Sequence, residues 1–310
     1  MFSLSDAAIP APLRIVFRGI GQVFFQENAL TGICFAVGLA ASSLLMATGA
    51  VVGAAIGTVS AWALKLDKAE LTAGIYGFNS ALVGIATFFF FQPSAGSIAL
   101  LIGGCVIATP VTWLMRRYLP FPTYTTPFIV TTWALFFLGQ ALGVPRVGPG
   151  AALVGVGFVT AVAHGVSQVM FQASIWTAIL FVVGIALNDW RHAAWVVVGS
   201  LVATTVGSFQ SASAAGTVDP ESLVDRGLSE NVALGLYGYN ATLSAVALFL
   251  WRRSLIPPLL GILLSVPITD LVPLTGLPAL TAPFVLATWL VLAFGWLDKR
   301  LFADQGTAAP

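Results

Sequence analysis

Charge is what this chain has least of. Of its 310 residues only 8% are Asp, Glu, Lys or Arg, against 58% that are hydrophobic. Soluble domains carry about 25% charged residues, so this composition excludes a water-soluble globule and implies an integral membrane protein. The formal net charge of +1 provides no basic field, and no nucleic-acid partner is expected. Cysteine is nearly missing. Cys34 and Cys105 both lie inside apolar runs, where they read as small buried hydrophobes, and they build neither a disulfide framework nor a metal-ligand spacing. No nucleotide-binding glycine loop, nucleophile elbow or zinc spacing is present, so neither a cofactor nor a catalytic centre is expected. The first residues do not read as a cleaved signal peptide, because Arg14 and Arg18 interrupt the apolar core it would need. No soluble catalytic module is expected at either end, and residues 303–310 read as a disordered tail.

What the chain has is apolar length. Mean hydropathy is +0.95, and polar residues cluster between apolar runs of roughly 15 to 22 residues, about the length that crosses a bilayer. After a mixed segment at 10–26, readable as an amphipathic or partly embedded helix, the runs fall near 29–49, 50–64, 72–91, 97–115 and 126–143. They are separated at Thr48-Gly49, the Lys65–Glu70 charges, Gln92-Pro93, Arg116-Arg117 and 144–150. The pattern then restarts at 151–172, 174–187, 193–209, 231–251, 255–273 and 283–297, with breaks at Asn188–His192, Gln210–Glu230, Arg252-Arg253 and Thr275–Leu280.

The restart is an internal repeat. Gly19-Ile-Gly-Gln-Val-Phe-Phe-Gln26 matches Gly165-Val-Ser-Gln-Val-Met-Phe-Gln172, 146 residues on. Gly74-Ile-Tyr-Gly-Phe-Asn-Ser-Ala-Leu82 matches Gly235-Leu-Tyr-Gly-Tyr-Asn-Ala-Thr-Leu243 at 161, and Thr125-Thr-Pro-Phe128 matches Thr281-Ala-Pro-Phe284 at 156. Three anchors in one order divide the chain into a first half, 1–150, and a second, 151–310. An odd number of spans in each half would invert one relative to the other, with a site at the midplane between them. Lys and Arg are spread over nearly every loop, so they do not specify orientation.

Each half also carries a broken apolar stretch, Phe121-Pro122-Thr123-Tyr124-Thr125-Thr126-Pro127-Phe128 and Leu277-Pro278-Ala279-Leu280-Thr281-Ala282-Pro283-Phe284. Proline removes an amide donor and turns the preceding residue out of helical geometry. Backbone freed in this way survives in hydrocarbon only where protein or a water-filled cavity satisfies it. Paired interruptions in two halves point to a transport site.

The repeated Leu-Pro-x-x-Thr-x-Pro-Phe, Tyr-Gly-aromatic-Asn and Gln-Val-x-Phe patterns resemble the urea transporter family over about residues 14–300, Phe121 replacing the leucine in the first half. The resemblance implies an all-α polytopic membrane protein of two inverted repeats, each with about five transmembrane helices and one tilted half-spanning helix. It implies a pore in each protomer of a homotrimer in a plasma membrane, the inner membrane for a bacterial chain. It also implies residues along the path. Phe25 and Phe171 match the aromatics of two slots, and Phe78 and Tyr239 the facing rings, with Leu82 and Leu243 four residues on. Gln22 and Gln168, followed by Val23 and Val169, match the polar wall, and Thr125 and Thr281 the central threonines. Urea suits such a path, being flat, small and neutral, with N–H edges that need acceptors such as glutamine carbonyls and threonine hydroxyls. Narrow apolar slots reject hydrated ions, whose desolvation is expensive.

The same residues have plainer readings. Phenylalanine and leucine at helical spacing pack cores, a membrane threonine commonly bonds back to a carbonyl one turn earlier, and Asn79 and Asn240 suit a helix junction. The small residues of Gly53–Gly57 and 212–216 suit helix or trimer contacts. A carrier coupled to protons or sodium would need acids or histidines within the membrane. Glu27 and His164 are the candidates, but Glu27 reads as a partner of Arg14 or Arg18 and His164 as a satisfied histidine. Asp189, His192, Asp270 and the acidic cluster 219–230 fall at breaks and read as solvated. Passive passage of urea is therefore expected. The alternatives are a coupled carrier of another small neutral solute or short amide, and an intramembrane hydrolase, for which no nucleophile and base are clustered.

Overall fold

The computed structural model of the protein describes residues 5–148, 156–214 and 228–302, without the side chains of Ala214 and Phe302. The boundary between the halves at 150/151, most of the 210–230 loop and the 303–310 tail lie outside the described residues. The first half comprises helices α1 (Ala11–Gly21), α2 (Ala29–Ser42), α3 (Leu44–Ala63), the short α4 (Lys68–Thr72), α5 (Ile75–Phe90), α6 (Ala95–Tyr118) and α7 (Thr126–Ala141). The second comprises α8 (Phe158–Ser167), α9 (Ile175–Asn188), α10 (Trp190–Ala214), the short α11 (Glu230–Ala233), α12 (Gly238–Trp251), α13 (Ile256–Leu271) and α14 (Ala282–Phe302). Among the described residues there is no strand, only an isolated bridge between Phe91 and Arg146. Among the described residues, five helical segments are long and apolar enough to cross a bilayer: 44–63, 95–118, 190–213, 256–275 and 282–301. Two helix pairs, 11–24 with 29–42 and 158–170 with 175–188, qualify as bent spans, at 76° and 69°. The protein is an all-α polytopic membrane protein.

Each bend has a local cause. Phe25 and Phe171 both take left-handed backbone at φ 61°, which stops the preceding turn, and a polar cap then starts the next helix. Asn28 Oδ1 accepts the amides of Leu30 and Thr31 at 2.8 and 3.2 Å, and Ser174 Oγ accepts that of Thr177 at 3.3 Å. These caps satisfy first-turn amides that no helical carbonyl reaches.

Elsewhere the boundaries correct the sequence expectation. The first long run breaks at Ser43, not at Thr48-Gly49. Ser43 is extended and its hydroxyl accepts the Met46 amide at 3.3 Å, whereas Thr48 bonds back to the Leu44 carbonyl at 2.9 Å inside a continuous helix. Gly49 is there for packing. A Cβ on Gly49 would lie 2.6 Å from the Gly84 carbonyl, and one on Gly84 2.0 Å from that of Gly49, so the α3 and α5 backbones touch. Gly53 and Gly57 meet Ser80 and Tyr76 of α5 in the same way, which spends that small-residue stripe on an internal contact. The run expected from 231 begins its long helix only at Gly238, after α11 and a turn at Gly235. His192, expected at a solvated break, lies in the first turn of α10 and is buried.

Contacts between the halves come in matched pairs. Thr31 Oγ1 donates to the Gly184 carbonyl at 2.7 Å, and Thr177 Oγ1 to that of Gly38 at 2.8 Å. Phe35 and Phe181 pack ring to ring at 4.8 Å. Trp133 Nε1 donates to the Pro278 carbonyl and Trp289 Nε1 to that of Pro122, both at 2.9 Å. The equivalent residues of the two halves, Thr31 and Thr177, Gly38 and Gly184, Phe35 and Phe181, stand 146 apart, and Trp133 and Trp289, Pro122 and Pro278, stand 156 apart, both offsets of the sequence repeat.

Candidate functional site: a cavity at the paired threonines

The two proline-broken stretches each begin a helix in the same way. Tyr124 and Leu280 take left-handed backbone at φ 46° and 45°, and Pro127 and Pro283 stand in the first turn of α7 and α14. Their φ suits a helix start, and an N–H there would be unpartnered anyway. The amide that follows each proline is held by a side chain. Asn79 Oδ1 accepts the Phe128 amide at 3.2 Å, and Asn240 Oδ1 that of Phe284 at 3.1 Å. Their Nδ2 groups donate to Thr112 Oγ1 and Thr269 Oγ1 at 3.3 and 3.4 Å. Both asparagines are fully buried and serve the helix junctions. Between the two stretches, Thr125 Oγ1 and Thr281 Oγ1 share a hydrogen bond of 2.7 Å.

A cavity of about 400 Å³ reaches Thr281 from one side. Of the residues singled out in the sequence, it gathers Gln168, Val169, Phe171, Tyr239 and Thr281. Gln168 Nε2 is spent on the Leu234 carbonyl at 3.2 Å, while its Oε1 is buried with no partner among the described residues. Tyr239 donates its hydroxyl to the Leu280 carbonyl at 2.5 Å, which fixes the left-handed residue beside Thr281. Leu243 is fully buried behind this wall and does not border the cavity.

The rings that meet Phe171 come from the first half. Phe89, Phe128 and Phe90 stand at 4.8, 6.3 and 6.4 Å from it, at tilted to edge-on angles. Phe25 has the matching crossed contact, with Phe284 of the second half at 6.0 Å, and meets Tyr124 at 5.8 Å. Left-handed backbone costs a non-glycine residue of order 1–3 kcal/mol, so placing both phenylalanines there is a cost that their ring positions explain.

The first-half counterparts sit differently. Gln22 Nε2 donates to the Ala73 carbonyl at 2.9 Å, the analogue of the Gln168 bond. Val23, Phe78, Leu82 and Thr125 are buried and Phe25 half-buried. None of these six borders the 400 Å³ cavity. The cavity instead takes in five residues that were not singled out in the sequence, Phe89, Phe90, Asn231, Tyr237 and Thr269, together with Asp270. Tyr237 opens the repeated Tyr-Gly-Tyr-Asn motif and was legible there. Asp270 was placed at a solvated break; it is half-buried on α13, where its Oδ1 accepts from Tyr237 at 2.9 Å and its Oδ2 from Gln210 at 2.5 Å.

The ionisable groups proposed for a relay are otherwise engaged. Arg18 forms a bidentate pair with Asp6 at 2.8 and 2.9 Å and reaches Glu27 at 3.0 Å. Glu27 itself is 55% exposed. The Arg18 guanidinium holds the Asp6 carboxyl below its ordinary value, with the Ala29 amide adding to the effect against burial. His164 is buried with Nδ1 on the Ala233 carbonyl at 2.7 Å. Asp189 and His192 are not solvated as the sequence suggested. Both are buried, and His192 Nδ1 contacts the Gln26 side chain at 3.2 Å. They form part of a polar junction with Asn188, which donates to Gln26 Oε1 at 2.8 Å.

Comparison with known proteins agrees with this architecture. The family model described as "Urea transporter" matches residues 13–295. "Urea transporter 1" of Ovis aries is 26% identical over 319 aligned residues, covering 93% of this chain and 78% of that protein. "Urea transporter 1" of Mus musculus is 25% identical over 315, with the same coverage, and that of Rattus norvegicus 25% over 311, covering 89% and 75%. A match that runs from the first helix almost to the end of the last, over a helical membrane fold, makes this chain a member of the urea transporter family.

Proposed function

We propose that this protein lets urea pass the membrane down its gradient, without an energy source, through a pore that runs by way of the paired threonines. The observation that carries the reading is the cavity that ends at Thr281, with Phe171 and Tyr239 as flat walls and the free Gln168 Oε1 as an acceptor. Flat rings suit the faces of urea, and its N–H edges are met in turn by Gln168, the Thr281 and Thr125 hydroxyls and, beyond them, the side chain of Gln22. A row of neutral acceptors replaces hydration without binding so strongly that the solute stays, as conduction requires. Phe25 with Phe78, and Phe171 with Tyr239, form the two slots in this reading, backed by Val23, Val169, Leu82 and Leu243.

In the same reading residues 1–150 and 151–310 are inverted halves about an axis passing between Thr125 and Thr281 and between Phe35 and Phe181. The exchanged contacts of Thr31 with Thr177 and of Trp133 with Trp289 support it, because a two-fold relation requires contacts to come in such pairs. A homotrimer with one pore per protomer, placed in a bacterial inner membrane, completes the proposal. A coupled carrier is the weaker reading: Glu27 is exposed and tied to Arg18.

Stopped-flow light scattering on proteoliposomes tests the function directly. Urea entry well above that of empty liposomes, and unaffected by removing sodium, is the expected result. Entry no faster than in empty liposomes would refute it.

A further inference from the structure

The two halves differ where a carboxylate stands at the end of the path. In the first half Tyr76 donates to Glu70, whose other oxygen is clamped by Arg116 through Nε at 3.0 Å and through Nη2. That carboxylate is charge-paired and does not border the cavity. In the second half the position matching Glu70 is Asn231, and the tyrosine matching Tyr76, Tyr237, turns to Asp270. Thr112 matches Thr269, so the first half carries Trp113 where the second carries Asp270. Asp270 borders the cavity, and its partners among the described residues, Tyr237 and Gln210, are both neutral. A carboxylate offers about four lone-pair sites, and among the described residues these two bonds take up half of them.

We infer that Asp270 makes the second-half mouth of the pore a binding station for small planar cations with N–H edges, guanidinium above all, which it holds without passing. The inference rests on reading this cavity as the urea path. Guanidinium has the shape of urea and a full positive charge. A free carboxylate edge takes it in a bidentate, charge-assisted pair, stronger than any bond to neutral urea. The rings of Phe171 and Tyr239, on the same cavity, accept the face of such a cation. Beyond Thr281 the groups are neutral, and there the ion would shed water with no counter-charge to compensate. Guanidinium therefore blocks urea from this side, and the carboxylate gathers urea by its N–H edge.

The test is urea influx into proteoliposomes with millimolar guanidinium chloride on both faces, far below denaturing levels, against sodium chloride at the same concentration. Guanidinium should slow wild-type influx and sodium should not. In Asp270→Asn, which keeps the size and an acceptor for Tyr237, the half-inhibiting concentration should rise about tenfold, the value of one charge-assisted bond. Tyr237→Phe keeps the carboxylate and should keep the sensitivity. Guanidinium no better than sodium on the wild type, or equal sensitivity in Asp270→Asn, would overturn the inference. Absence of urea influx without any inhibitor would instead refute the transport reading. The station is then read by thermal unfolding of the purified protein, where guanidinium at that concentration should stabilise the wild type and not Asp270→Asn.

Discussion

Thr125 and Thr281 satisfy one another, and that has a consequence for how their substitution reads. Replacing either by valine leaves the other hydroxyl buried without its partner, a penalty of about 1–3 kcal/mol. Replacing both removes the unsatisfied group together with the bond, and two apolar groups of the same shape are close to neutral. Thermal unfolding should therefore fall in each single variant and recover in the double one. Urea flux should fall in the singles and stay low in the double, because the acceptors at the centre of the path are gone either way. Flux that recovers along with stability would place these hydroxyls off the path. At the second-half slot, Phe171→Ala removes a ring that meets three others. Discrimination between urea and larger amides, measured as a ratio of fluxes, should weaken several-fold.

Among elements, α7 and α14 depend on side chains from α5 and α12 for their first turns. Asn240→Leu keeps the volume but removes the acceptor of the Phe284 amide and the donor to Thr269. That should cost about 1–3 kcal/mol, read as a lower unfolding temperature, and Asn79→Leu should behave alike at Phe128. The sequence made this junction visible, because both asparagines recur and both lie in a motif. It also showed the long helices and the proline-broken stretches, since apolar runs of bilayer length are strong local patterns, but not the short helices α4 and α11. It did not show that Gly49 marks a contact and Ser43 a break. Glycine reports either a turn or a close approach, and only the facing backbone of Gly84 tells which. Nor did it show that Phe89 and Phe90 cross to the second-half cavity, because a contact between halves leaves no local periodicity. Asp270 was hidden for a related reason. A charged residue near the end of an apolar run looks solvated unless the tyrosine facing it is known.

For the molecule as a whole, where the acids sit separates transport from stability. Asp6 is a carboxylate engaged in folding, held by Arg18 and the Ala29 amide. Its folded value is depressed, so its contribution is fully present above the ordinary value of 3.8 and is lost as the pH falls below that toward the depressed one. Between about pH 6 and about pH 8, where a histidine relay would titrate, Asp6 stays ionised and its contribution is constant. His164 is held on a backbone carbonyl in the same fold. Urea flux should then be the same at the two ends of that window and indifferent to sodium, and Glu27→Gln should leave it unchanged, since Glu27 is an exposed partner of Arg18. Unfolding temperature should instead drop once the pH passes below the ordinary carboxylate range. Asp6→Asn should begin lower at neutral pH, by about 1–3 kcal/mol for a lost charge-assisted pair, and lose less on acidification. Flux that follows pH in the upper window, and is abolished by Glu27→Gln, would mean that a proton moves with the solute and that the passive pore is wrong.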